Sequence, residues 1–220
     1  MHIALRHIIR HRKPTLVRTF GFLSGLLLSG CINMSSIEHP HQIYVLQDSG
    51  QRSAPAPTCR PEVLRLANTW SSSFDDRHDL VYSLQPDTRG YYRYAQWSTL
   101  PDVRLNQLLF NHLLRDHAYC TLIDARSNAD ADRTLTTELL AFYHDAAKKP
   151  GRAIVRIRTE LYDNHSHRLL ARTTFTASAP LSQYNAAGAA HAFNLATGNI
   201  LRDISNWVAA VPNTAPPSAH

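Results

Sequence analysis

The chain has 220 residues and a mass of 24.8 kDa, with 44% hydrophobic and 18% charged residues. That composition suits one domain with a sizeable core and excludes a collagen-like or largely disordered chain. The net charge of +6 sits at the N-terminus: residues 1–30 hold Arg6, Arg10, Arg12, Lys13 and Arg18 and no acid, which leaves +1 for the rest. This is too little for a nucleic-acid binder, which needs a basic face to displace counterions.

The basic residues 1–18 precede an apolar run over 19–28, then Ser29, Gly30 and Cys31. A charged segment, a short apolar segment and small residues before a cleavage point make a secretory signal. Leu28-Ser29-Gly30-Cys31 resembles a bacterial lipobox, in which the Cys thiol is acylated and becomes the first residue after cleavage. The pattern predicts a signal peptide over 1–30 and lipidation of Cys31. The competing reading is an uncleaved transmembrane helix. The uncharged stretch 19–34 would span roughly 24 Å as helix, short of a hydrocarbon core of about 30 Å. Acyl chains on Cys31 would anchor the protein without embedding it, each buried CH₂ contributing about 0.8 kcal/mol. Ile32 stands where an inner-membrane lipoprotein would often carry Asp, which favours the outer membrane.

With Cys31 used by lipid, Cys59 and Cys120 remain. In an exported chain they could close one disulfide or stay as two free, buried thiols, and both readings stay open. No Cys/His spacing suggests structural zinc.

Residues 31–41 read as a lipidated tether. Residues 43–46 read as a first strand, 48–61 as a Pro- and Gly-containing loop, and 62–67 as a second strand. The runs 79–84 and 91–97, separated by Gln85-Pro-Asp-Thr-Arg-Gly90, predict a hairpin. A helix is predicted over 102–116, with Leu105, Leu108, Leu109 and His112 on one face. Strands follow over 119–123, 135–143, 153–161 and 169–177. In 153–161, Val155, Ile157, Thr159 and Leu161 alternate with Arg156, Arg158 and Glu160, as in an antiparallel strand with one wet face. The last helix is predicted over 189–211, with Phe193, Ala196, Ile200, Ile204 and Trp207 at helical spacing. The tail 212–220 reads as disordered. Together these predict a single α/β domain, α+β in its local pairing. Its mixed, mostly antiparallel sheet packs with two main helices.

The chain carries no GxSxG, HExxH or P-loop, and no GxGxxG follows a strand, so no catalytic residue and no cofactor is assigned. Asp130 and Asp132 lack the downstream Gly and Glu of a calcium loop and read as solvated. His39 and His41 lie in the tether. His165 and His167 could share a metal in a turn, but two ligands are too few for a specific site, and no metal is assigned. His191 reads as a helix boundary residue. Tyr91, Tyr92, Tyr94 and Trp97 form the densest aromatic patch. It reads either as strand packing against the following helix or as an anchor for a binding partner.

The order of these features carries a resemblance. A lipobox is followed by Tyr44-Val-Leu46, then by Tyr91-Tyr-Arg-Tyr-Ala-Gln-Trp97, Pro101 and a Leu-rich helix. A long alternating hairpin ends in Phe175 and Pro180, and an Ala-rich helix closes with Trp207. Over about residues 28–209 the chain resembles the ABC-type transport auxiliary lipoprotein family. The resemblance implies an α/β fold without a catalytic centre. It also implies a periplasm-facing lipoprotein accessory to an MCE-type system that moves lipids between envelope membranes. The implied partner is an MCE-domain protein, docked by the exposed aromatics of 91–97 and the exposed side of 189–211. A homo-oligomer is compatible with this reading. The alternative is a lipid-binding carrier lipoprotein of the envelope.

Overall fold

The structure is a computed structural model and describes residues 40–50, 56, 58–71 and 77–212. The signal peptide, Cys31, the tether up to residue 39 and the tail beyond residue 212 lie outside the described residues. Eleven elements follow in chain order: β1 (Gln42–Tyr44), β2 (Arg60–Leu66), β3 (Trp70–Ser71), β4 (Asp79–Ser83), β5 (Gly90–Trp97), α1 (Pro101–Asp116), β6 (Tyr119–Asp124), β7 (Arg133–Asp145), β8 (Arg152–Asp163), β9 (Arg168–Pro180) and α2 (Ala186–Ala210).

The long strand β7 organises the sheet. Along one edge it pairs antiparallel with β8 from Arg133↔Asp163 to Asp145↔Arg152, and β8 pairs antiparallel with β9. Along its other edge β2, β3 and β4 line up end to end, all parallel to it. β6 extends the sheet beyond β2, and β5 then β1 extend it beyond β4. The result is a mixed sheet, mostly antiparallel by paired length, and unclosed. The period of two expected in β8 is present: Ala153, Val155, Ile157, Thr159 and Leu161 are buried, while Arg156 is exposed.

Both helices lie over the buried face. α2 packs on β8 and β9, and α1 packs on α2 and β6. Pro101 occupies the first turn of α1, where its missing N–H is no loss. His117, at φ 54°, ends the helix in the left-handed conformation. α2 begins at Ala186, earlier than the apolar stripe predicts, because the Asn185 side chain caps it by accepting from the Gly188 N–H at 2.8 Å. Leu135, Leu139, Val155 and Leu161 meet Phe193, Ala196, Ile200 and Ile204 in the core. Trp97, Phe142 and Phe193 form an aromatic knot, the last two stacked at 4.3 Å. Trp207, placed on the apolar stripe by its spacing, is only half-buried and packs edge-on against Phe175. Among the described residues no helix is long and apolar enough to cross a membrane.

The first strand ends at Tyr44, two residues before the run 43–46 predicts. From there the chain leaves the sheet and runs as a strap between the two helices. Leu46 is buried, and its carbonyl accepts from Arg104 Nε of α1 at 2.9 Å. The Gln47 and Ser49 N–H groups donate to Asn194 of α2, at 2.9 Å to Oδ1 and 3.3 Å to the carbonyl. Asp48 reaches His112 Nδ1 at 2.9 Å and Arg115 at 2.6 Å. Gly50 then meets Gly198 of α2 backbone to backbone; a Cβ on Gly198 would lie 1.9 Å from the Gly50 nitrogen.

Candidate functional site

The aromatic strand β5 is irregular. Asp79 pairs with Gln96 and Val81 with Tyr91, so five steps of β5 lie opposite two of β4. Such a bulge re-aims side chains, and it splits the aromatic patch that the sequence presents as one block. Trp97 is 2% exposed and packs in the core on Phe142 of β7 and Phe193 of α2. Tyr92 turns inward beside His144. Only Tyr91 and Tyr94 reach the surface, at 39% and 37% exposure. Each carries an arginine over its ring: Arg77 at 4.9 Å on Tyr91 and Arg93 at 5.6 Å on Tyr94.

Register places further residues beside them. Ile43 of β1 pairs with Gln96, so Ile43 shares the sheet face of Gln96 and Tyr94, opposite the core. Val45 lies just past the end of the strand. Ile43 is 67% exposed and Val45 48%. The ring of His41 meets Tyr94 edge-on at 5.8 Å. The signal available in the sequence was alternation with the core-facing Tyr44, which puts Ile43 on the opposite face.

Behind the surface lies a polar pin. The His144 ring is fully buried, with Nε2 3.2 Å from the Pro150 carbonyl and Nδ1 2.8 Å from the Tyr92 hydroxyl. A carbonyl can only accept, so Nε2 carries the proton and Nδ1 accepts from Tyr92. Tyr82 and Tyr184 close the cluster with edge-on contacts to Tyr92 and His144, at 5.3 Å and 5.6 Å. Burial pushes the His144 pKa below its ordinary value and lifts Tyr92 to about 12. Both groups are therefore neutral near pH 7, and the pair locks the bulge of β5 to the end of β7.

The other residues singled out by sequence fall as follows. Cys59 and Cys120 form a disulfide with Cα atoms 5.0 Å apart, tying the start of β2 to β6. His165 pairs with Asp132, its Nε2 2.9 Å from Asp132 Oδ1, and this pairing raises the His165 pKa, while the hydrogen bond from the Val63 N–H, and then His165, lower that of Asp132. Asp132 also caps the Val63 N–H, so it serves the fold of the loop that Asp130 shares. No group of three or more His, Cys, Asp or Glu that could hold a metal occurs among the described residues. His191 is exposed on α2. The exposed side expected of this helix is narrow, limited in full exposure to Ala187, His191, Asn206, Ala209 and Ala210. His112 reads as an apolar-stripe member in the sequence. In the structure it is 2% exposed between two carboxylates, Asp48 and Asp116, the latter 3.3 Å from Nε2. A groove of about 680 Å³ beside α1 is lined by Asn68, Asn106, Gln107, Asn111 and Arg126 together with Phe110. Its walls mix polar and apolar side chains.

Comparison with known proteins places this architecture. No curated protein matches the chain. Among solved structures, protein XCC0632 from Xanthomonas campestris superposes with a TM-score of 0.70 at 19% identity, over 77% of this chain and 95% of that one. A crystal structure of an uncharacterized protein superposes with a TM-score of 0.57 at 11% identity, over 76% of this chain and 99% of that one. At these identities the likeness concerns the fold. The family model for the ABC-type transport auxiliary lipoprotein component matches residues 44–205, from β1 into the last turns of α2, and the chain belongs to that family.

Proposed function

We propose that the chain is the lipid-anchored accessory subunit of an MCE-type ABC transport system, acting by tethering and binding. In this reading acyl chains on Cys31 hold the domain at the outer membrane, facing the periplasm. The tether 32–41 reaches about 35 Å fully stretched and about 17 Å as a coil, so the domain works close to that membrane. The rigid sheet then presents a face to an MCE-domain protein that carries lipid between the membranes.

The observation that carries the reading is the family match over residues 44–205, a component of ABC-type transport. The strap between α1 and α2 supports it mechanically. A pull on the tether enters the domain at β1 and passes at once to both helices through Arg104, His112, Arg115 and Asn194. The test is a crosslinked pull-down from intact envelopes with the full-length protein as bait and mass spectrometry as readout. Recovery of an MCE-domain protein is expected, and the crosslinked residues locate its docking face. Enrichment of a different envelope complex without any MCE protein would overturn the assignment.

A further inference from the structure

The surface nearest the anchor is unusual in its chemistry. Ile43 projects from the outer face of β1, 67% exposed, next to Tyr94 and with Tyr91 beyond it, and Val45, just past the end of β1, is 48% exposed. Aliphatic side chains in water are unfavourable in proportion to their exposed apolar area. Tyrosine joins an apolar ring to a polar tip and is enriched at membrane–water boundaries. Arg93 lies over Tyr94 and has no carboxylate partner among the described residues, whereas Arg77, over Tyr91, is paired with Asp79 at 2.8 Å.

Chain geometry says what this patch meets. Only residues 32–41 separate Cys31 from β1. Ile43 is the second residue of β1 and the first aliphatic side chain of the folded domain. Whatever bilayer holds the acyl chains is therefore held within about 35 Å of this face, and nearer ~17 Å for a relaxed tether. No other part of the domain is so close along the chain.

We infer that the outer face of β1 and β5 rests on the membrane that carries the anchor. Ile43 and Val45 insert among the headgroups, Tyr91 and Tyr94 sit at the boundary, and Arg93 pairs with an anionic lipid phosphate. The inference rests on acylation of Cys31 and adds an orientation to it. A domain pinned at β1 cannot swing freely about its tether, and it turns the α1/α2 side toward the periplasm. The patch is then spent on lipid, and the MCE partner meets a different face.

The test uses the mature chain in two forms, acylated and with Cys31→Ser. Intact mass of the N-terminal peptide reports acylation. The acylated protein is placed in vesicles of phosphatidylethanolamine and phosphatidylglycerol, and hydrogen exchange is followed at residues 41–46 and 91–96. Slower exchange there than in detergent is expected. The Cys31→Ser chain should sediment with these vesicles, less with pure phosphatidylcholine, and less at high salt. Ile43→Glu with Val45→Glu should weaken that binding at least about tenfold, and Arg93→Glu should remove the preference for anionic lipid. Because all three side chains are exposed, the variants keep their melting temperature. Unchanged exchange and undiminished vesicle binding by the double variant would overturn the surface while leaving the anchor intact. Absence of acyl mass would overturn the anchor alone, since the Cys31→Ser measurement still decides the surface. Protection that grows with protein concentration in the absence of vesicles would make the patch a contact between copies and refute the membrane assignment.

Discussion

Gly198→Ala separates local helix preference from tertiary fit by the sign of its effect. Gly198 lies well inside α2, where alanine is favoured over glycine by about 1 kcal/mol. On that ground alone the variant would be stabilised. The added Cβ would instead sit 1.9 Å from the Gly50 nitrogen and 2.3 Å from its Cα. Ordinary contact lies near 3.5 Å, so the strap must move by about 1.5 Å. That movement strains the Gln47 and Ser49 bonds to Asn194 and the contact of Asp48 with His112 and Arg115. Overpacking costs about 1–3 kcal/mol, and weakening one charge-assisted bond adds about 1.5–3. Set against the propensity gain, the net loss is about 1.5–5 kcal/mol. For a domain of this size that lowers Tm by roughly 3–20 °C. Urea unfolding followed by far-UV circular dichroism measures it. Gly50→Ala, which meets the Gly198 backbone at 2.3 Å without any helix gain, should be destabilised as well. A Gly198→Ala protein more stable than the parent by about 1 kcal/mol would refute the strap as a tightly packed element.

Other consequences concern the staple and the charged groups. Replacing Cys59 and Cys120 together by alanine opens a loop of 61 residues and should cost up to about 4 kcal/mol, read as a lower urea midpoint than the oxidised parent. For Asp48, burial pushes the carboxyl pKa up, but hydrogen bonding and charge from His112, with the Arg115 guanidinium, hold it below 3.8. Its stabilisation is therefore present above pH 3.8 and lost as pH falls through the lower folded value. Asp48→Asn should remove that part of the acid limb and lower stability at pH 7. His144 behaves differently: burial depresses its pKa from 6.5, so the unfolded chain takes up a proton first and stability declines as pH falls below 6.5. His144→Gln should flatten the stability profile on that side and leave the slope above pH 7 unchanged. Arg133 is buried and reaches Glu62 at 3.4 Å, the Tyr119 hydroxyl at 3.2 Å and the Pro212 carbonyl at 3.3 Å. Arg133→Met should cost about 3–5 kcal/mol by stranding Glu62, and Glu62→Gln in the same chain should restore part of it. Equal stability of the single and double variants would show that the charge is not what matters.

The elements with a strong period were legible without coordinates. Alternation in β8 and the 3–4 spacing of Leu105, Leu108 and Leu109 in α1 are local properties, set by which positions of a strand or helix share a face. The lipobox is legible for a similar reason: it is a run of consecutive residues, and its reading asks nothing of the fold. The family resemblance drew on the same linear order, and the match over residues 44–205 agrees with it.

What the tertiary structure decided are relations between distant residues. β3 has two residues, too few to show a period, and exists because β7 offers an open edge there. The line of β2, β3 and β4 along that edge is a matter of pairing, to which no single strand's pattern points. His112 fits the apolar stripe of α1 by spacing, and only the strap that brings Asp48 against it reveals a charged contact. The sequence left the state of Cys59 and Cys120 open, and their closeness follows from the parallel pairing of β2 with β6. In β5 four aromatics within seven residues read either as strand packing or as an anchor for a partner. A bulge, invisible to a period-of-two argument because it breaks that period, sends Trp97 to the core, Tyr92 to His144, and only Tyr91 and Tyr94 to the outside. Sequence determines which faces a segment can have; the sheet determines which of them is left to meet a partner.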